Sequence, residues 1–325
     1  MKRKVILTRK YQDEAIRQLR ETFNLNIVED SGKTLPEIIK ENPDTEALIS
    51  FLSDKIDQEI MDLAPNLKII ANYAVGYNNI DIGYAVKKGI PVTNTPDVLT
   101  NATADLTMAL ILATCRRLVE GDELLRQGKF KGWGANFLLG KELNGSILGI
   151  IGMGRIGQAT ALRAKGFGLT ITYYNRNRKP DLEKEHGYRF KPLFDLVKEA
   201  DIVSLHIPAS PGVYHLFNKD MFDRMKKDAV FINVSRGDLV DEAYLAEKLA
   251  KNELFGAGLD VYEHEPHVTE QLIKLKNVVL APHIGSATYK ARMGMAQLTV
   301  DNVKQALAGI PPQNLVPECR PGMKS

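Results

Sequence analysis

Three polar side chains stand just beyond apolar runs in the second half of the sequence. Arg236 closes AVFINVSRG, Glu265 lies in HEP beyond FGAGLDV, and His283 follows NVVLAP. A guanidinium can grip a carboxylate through two parallel N–H bonds and polarise a neighbouring carbonyl. An imidazole is the side chain whose unperturbed pKa suits proton donation near neutrality. A carboxylate paired with it favours the imidazolium and fixes its orientation. Taken singly, each has a plainer reading: Arg236 as a surface arginine before the turn at Gly237, His283 as a satisfied strand-end residue. His264 and His267 flank Glu265, but H-E-P-H is not the H-E-x-x-H helix spacing of a zinc site, and Pro266 argues against a helix. No metal is expected. His186 and His215 read as surface residues.

A second chemical signal is ILGIIGMGRIGQATALRA, with glycines at Gly152, Gly154 and Gly157. Glycine patterns are common, but this one follows an apolar strand and opens a helix. The first glycine makes the tight turn, the second lets backbone approach a pyrophosphate, and the third lets helix pack on strand. The helix N-terminus supplies N–H donors and a positive dipole end. The next strand, TITYY, ends in Asn175, Arg176, Asn177, Arg178 and Lys179. There an NAD site places a carboxylate on the adenosine ribose. None stands between Tyr173 and Lys179. Guanidinium groups bind phosphate as bidentate donors, so Asn175, Arg176 and Arg178 point to NADPH/NADP over NADH/NAD. A solvated basic turn is the alternative. Arg176, nearer the strand end, is expected to matter more than Arg178.

These residues need elements to hold them. The first part alternates strand candidates (KVILT, LNIV, EALISF, LKIIANYA) with helical segments (YQDEAIRQLRETF, LPEIIKEN, DQEIMDLA). GIPVTNTP breaks the pattern. A long helical segment, DVLTNATADLTMALILATCRRLVEGDELLRQGKF, then precedes a glycine-rich irregular stretch around Trp133. A second alternating unit has six strand candidates: SILGII, LTITYY, DIVSLHI, AVFINVS, FGAGLDV and NVVLAPH. Such alternation predicts α/β folds with doubly wound parallel sheets, and strand carboxyl ends then face the ligand crevice. A last amphipathic helix is expected to end at Gly309.

The chain has 325 residues, enough for about two domains. Its net charge of +3, with both signs interspersed, argues against a nucleic-acid binder. Cys115 and Cys319 are too few for a disulfide framework, and a reducing compartment is the simple reading. No segment has the run of apolar residues needed to span a membrane, and the N-terminal apolar run is too short for a signal core. A cytoplasmic protein with no membrane or nucleic-acid partner is expected.

Gly152–Gly157, NVSRGDLVDE, GAGLDVYEHEP and LAPHIGSAT stand in an order and spacing similar to the D-isomer-specific 2-hydroxyacid dehydrogenases. NYAVGYNNID and VTNTPDVLTNATADLTMAL most resemble the glyoxylate/hydroxypyruvate reductase branch. The resemblance covers nearly the whole chain. It implies a Rossmann cofactor domain, residues 99–286, inserted into a flavodoxin-like substrate domain of residues 1–98 and 287–325, with the active site in a closing cleft. It assigns Arg236, Glu265 and His283 to catalysis. Val75 and Gly76, with Arg236 and His283, would bind substrate, although AVGYNN also reads as a plain turn. It places Thr103, Met153, Arg155, Ile156, Asn177, His206, Pro208, Val234, Ser235, Asp260 and Gly285 at the cofactor, beside the glycines and the basic tip. For Asp260, a buried carboxylate bonded to backbone is the competing reading.

The implied reaction is NADPH-dependent reduction of a short 2-keto acid, glyoxylate or hydroxypyruvate, to glycolate or D-glycerate. A broad dehydrogenase of larger 2-keto acids and a non-enzymatic, dinucleotide-sensing corepressor-like protein are the alternatives. The apolar Leu106–Ala113 helix and the Gly132–Gly140 arm suggest a homodimer; a helix buried in its own chain is the other reading. Phe137 in that arm is a candidate lining residue of a substrate pocket. Ending at Ser325, the sequence lacks the C-terminal extension of many phosphoglycerate dehydrogenases, which disfavours that role.

Overall fold

A computed structural model describes residues 2–208 and 211–320; Met1 and residues 321–325, expected in the substrate domain, lie outside it. The chain divides into two units, Met1–Leu99 with Ala287–Ser325, and Thr100–Ser286. Each is built on one parallel sheet.

The first unit has five strands: β1 (Lys4–Leu7), β2 (Asn24–Ile27), β3 (Ala47–Ser50), β4 (Ile69–Asn72) and β5 (Val92–Thr93). Their order is β2-β1-β3-β4-β5 and every pairing is parallel, the flavodoxin-like order. Strands β3 and β4 are buried along their whole length, as parallel strands covered on both faces must be. Helix Leu35–Glu41 starts at a Thr34/Glu37 capping box with Pro36 in its first turn, where a missing N–H costs nothing. Helix Tyr289–Leu307 returns to this unit and packs on β4, β3 and helix Asp13–Thr22. Strand β5 lies inside GIPVTNTP, which the sequence presents as a break. Two residues between prolines are too short to show a period.

The second unit has seven strands: β6 (Ile147–Ile151), β7 (Thr170–Tyr174), β8 (Arg189–Phe190), β9 (Ile202–Leu205), β10 (Val230–Asn233), β11 (Gly256–Leu259) and β12 (Val278–Leu280). They run β12-β11-β10-β9-β6-β7-β8, all parallel. This is the doubly wound order with one strand added, and its switch point falls between β6 and β9. The seventh strand is the two-residue edge β8, which sequence periodicity does not reveal. Helix Thr100–Cys115 packs on helix Arg155–Lys165 and on β10, β11 and β12, so its apolar face is core of its own unit. The long helical segment is not continuous. Arg117, at φ 50°, breaks it, and a second helix runs Leu118–Arg126. Among the described residues no helix is long and apolar enough to cross a membrane.

Candidate active site

Because the second sheet is wholly parallel, its strands all end at one edge. Strand β6 delivers Gly152, β7 Asn175, β9 His206, β10 Val234 to Arg236, β11 Asp260, and β12 His283. The topology gathers at one edge residues that the sequence separates.

His283 Nδ1 lies 2.8 Å from Glu265 Oε2. The other Glu265 oxygen accepts the Tyr262 N–H at 3.1 Å. Burial alone would raise the Glu265 carboxyl. The His283 bond and charge, the Tyr262 N–H and the Arg236 charge outweigh it and hold Glu265 below the usual carboxylate range. Glu265 is therefore anionic at neutral pH. With Nδ1 engaged, Nε2 is the ring nitrogen left to a reacting group. Burial pulls the Arg236 guanidinium below its ordinary value, against Glu265 and Asp238; it remains cationic at neutral pH.

His283 adopts φ 53°, a left-handed conformation that costs a non-glycine residue about 1 kcal/mol. Asp260 holds the backbone there. Its two oxygens accept the N–H groups of Ile284 and Gly285, both at 2.7 Å, and it is 1% exposed. Burial raises its carboxyl above the ordinary value despite those bonds. Asp260 is thus engaged with backbone, and Gly285 and Thr103 sit beside it. A methyl group on Gly285 would lie 3.1 Å from Asp260 Oδ2 and 3.5 Å from Thr103 Oγ1.

The three motif glycines differ in what requires them. A methyl group on Gly152 would sit 2.6 Å from the His206 carbonyl, and one on Gly157 2.2 Å from the Gly152 oxygen. Gly152 also has φ 103°. Both are needed by the fold itself. Gly154 is exposed, has an ordinary φ of −79°, and a methyl group there would meet nothing within 4 Å. Nothing in the protein demands glycine at 154; a pyrophosphate lying on the loop does. The helix that opens at Arg155 and Ile156 has no side-chain cap on its first N–H groups, so they suit an anion. These observations fit a dinucleotide.

At the β7 tip, Asn175 is turned inward. Its Oδ1 accepts the Met153 N–H at 3.1 Å and its Nδ2 donates to the Asn177 carbonyl at 2.8 Å. It ties the strand end to the glycine loop. Arg178 is held by Glu183 through two bonds, 2.8 and 2.7 Å, and lies 5.6 Å from the Phe190 ring centre. Arg176 is exposed and makes no ion pair among the described residues, so it is the tip arginine free to take a phosphate. His206 and Ser235 border the same edge; Ser235 Oγ donates to the Ile207 carbonyl. Pro208 is exposed and Val234 buried.

In the first unit, Val75 and Gly76 follow β4. The Asn94 amide donates to the Val75 carbonyl and the Asn72 amide to the Gly76 carbonyl, both at 2.8 Å. With the carbonyls tied back, the chain forms a fixed turn. In the arm, Phe137 packs on Phe130 with ring centres 6.1 Å apart.

The family model for the NAD binding domain of D-isomer specific 2-hydroxyacid dehydrogenases matches residues 108–285. The chain belongs to that family. A glyoxylate reductase of Thermococcus onnurineus is 49% identical over 97% of this chain and 96% of its own. Among solved structures, the NADPH-dependent glyoxylate/hydroxypyruvate reductase of Sinorhizobium meliloti in complex with NADP and malonate is 33% identical, covers 100% of both chains and has a TM-score of 0.90. The TT0316 protein of Thermus thermophilus is 43% identical, with a TM-score of 0.88 over 96% of this chain and 99% of its own.

Sequence reasoning passes over several residues that shape the site of this dehydrogenase. Asn233, 1% exposed, ends β10 as Asn72 ends β4, and its amide donates to the Arg236 carbonyl at 2.8 Å. Both units hook a functional loop with a strand-terminal asparagine. The readable signal was a polar amide closing an apolar run. Tyr262 donates its hydroxyl to the Ala281 carbonyl at 2.9 Å, which joins the Glu265 loop to the strand carrying His283. His215, read as a surface residue, is partly buried, with Nε2 2.6 Å from Glu263 Oε1. Among the described residues no group of His, Cys, Asp and Glu could hold a metal ion.

Proposed function

We propose that the chain reduces a short 2-keto acid, glyoxylate or hydroxypyruvate, to the 2-hydroxy acid with NADPH. The observation that carries this is the 2.8 Å Glu265–His283 pair at the sheet edge that also delivers Arg236 and the glycine loop. When bound, the nicotinamide supplies the hydride that the carbonyl carbon accepts. His283 gives its Nε2 proton to the carbonyl oxygen, so that C=O becomes CH–OH. Glu265 holds the imidazole through Nδ1 and keeps Nε2 aimed at the substrate. Arg236 grips the carboxylate and polarises the carbonyl. The N–H groups of Val75 and Gly76, whose carbonyls are tied back by Asn94 and Asn72, suit a carboxylate. The glycine loop and first turn of helix Arg155–Lys165 take the pyrophosphate, and Arg176 takes the 2′-phosphate. Cofactor oxidation measured with glyoxylate, hydroxypyruvate, pyruvate and 3-phosphohydroxypyruvate, using NADPH and NADH in turn, tests the reading. Turnover is expected with the first two acids and with NADPH preferred.

The working form is a homodimer. The support is a band of exposed apolar side chains, Leu118, Val119, Leu125, Trp133 and Leu139, of which Trp133 is 88% exposed. So many on one stretch mark an interaction surface. Sedimentation should give a dimer, and the double variant Leu118→Asp with Leu125→Asp should give monomers.

A further inference from the structure

Glu265 has to stand still for His283 to be aimed, yet it lies in a stretch, residues 261–269, with no helix and no strand. Within the stretch, a single backbone bond closes the turn, the His267 N–H to the His264 carbonyl at 2.8 Å. Something outside must fix it. That group is Glu242, the first residue of helix Glu242–Ala250, 4% exposed. Its Oε2 accepts the Glu263 N–H at 2.8 Å and its Oε1 accepts the Thr269 N–H at 3.0 Å. One carboxylate spans the turn that carries Glu265 and holds both of its ends.

The carboxylate suits its place. It sits at the positive end of a helix, where a buried carboxylate is favoured. Both described hydrogen bonds go to backbone N–H groups of the turn. The turn is also registered against the substrate-gripping arginine. A methyl group on Gly237, next to Arg236, would fall 1.9 Å from the Tyr262 carbonyl and 2.4 Å from the Glu263 nitrogen. The Tyr262–Glu263 backbone therefore lies in close contact with Gly237, beside the arginine. Beyond the turn, Tyr262 reaches the Ala281 carbonyl, so the constraint extends to the strand that delivers His283.

We propose that Glu242 is a positioning residue of the reduction, acting through Glu265. It touches neither substrate nor cofactor. By clamping the Glu263 and Thr269 N–H groups it keeps Glu265 within hydrogen-bond reach of His283 and so keeps the imidazole aimed. The inference rests on the keto-acid reductase reading. The two fail differently: absence of turnover by the unaltered chain sinks the reading, whereas normal turnover by a folded Glu242 variant sinks only the inference.

The test is Glu242→Gln, which keeps the size but turns one acceptor into a donor facing an N–H. Misplacing a catalytic group by an ångström costs about 100-fold in rate, so kcat should fall about 10- to 100-fold. KM for the keto acid should stay within about threefold, since Arg236 and the substrate loop remain, and NADPH affinity should be unchanged. In a Glu265→Gln background the same change should cost less than about twofold, because residues that act through one another are not additive. A merely structural role would lower the melting temperature and leave kcat and the coupling untouched. Should Glu242→Gln fail to fold, Glu242→Asp decides. It keeps a carboxylate but is too short to span both N–H groups, and it should show the same loss of kcat at smaller size. Wild-type kcat in a folded Glu242 variant would overturn the proposal.

Discussion

His206 meets Ser204 Oγ at 2.9 Å through Nε2, while its Nδ1 is buried without a partner among the described residues. Burial lowers its pKa to about 3. The unfolded chain binds this proton below about pH 6.5 and the folded chain does not. Stability is therefore full above that pH and lost as pH falls towards the folded value, by at most about 1.4 kcal/mol per pH unit. Urea unfolding at pH 7.5 and pH 5 should show the loss, and His206→Asn should flatten it. Arg176 and Arg178 make a second residue-scale contrast. Arg178 is committed to Glu183 and Arg176 is not. Arg176→Ile should raise KM for NADPH about 10-fold or more and leave KM for NADH within about threefold, as expected when a charge-assisted phosphate contact is lost. Arg178→Ala should change the NADPH/NADH ratio less. Equal effects from both would show that the cluster binds phosphate as a diffuse charge. Nearness to the strand end ranks Arg176 above Arg178 in the sequence, but the Glu183 pairing that occupies Arg178 was not legible, because Glu183 lies in the next helix and only the fold brings it back.

The glycine loop argues at the scale of an element. Gly154→Ala should leave the melting temperature nearly unchanged, since its methyl group enters open space, and should weaken NADPH binding by about 10-fold or more as the pyrophosphate loses its close approach. Gly157→Ala should do the reverse. Its methyl group runs into the Gly152 oxygen, an overpacking that costs about 1–3 kcal/mol. Calorimetry and cofactor titration on the two variants check both halves. The spacing identified the motif, but which glycine serves the ligand and which the fold depends on what approaches each one in space. The same limit explains Asp260 and Glu242. By sequence Asp260 falls in a strand candidate and Glu242 opens a helical segment, and each proves to hold backbone N–H groups, 24 and more residues away for Asp260 and 21 and 27 away for Glu242. Asn175, expected at the cofactor, also ties two loops together, which the sequence does not show.

For the whole molecule, alternation of apolar runs and helical segments was enough to predict two parallel, doubly wound sheets, because burial on both faces writes itself into every long strand. The strands it missed, β5 and β8, have two residues each and gain their identity from a neighbour already in place. The break at Arg117 was also hidden, since apolar and charged residues continue across it with no proline or glycine to mark it. What joins these scales is one reaction, and cofactor consumption measures it most directly. With NADPH and glyoxylate or hydroxypyruvate the unaltered chain should turn over, and His283→Ala should lower kcat by about 1000-fold, the size of a general-acid contribution, while NADPH still binds. Absence of turnover with any of the four 2-keto acids, or a His283→Ala variant as fast as the parent, would contradict the account.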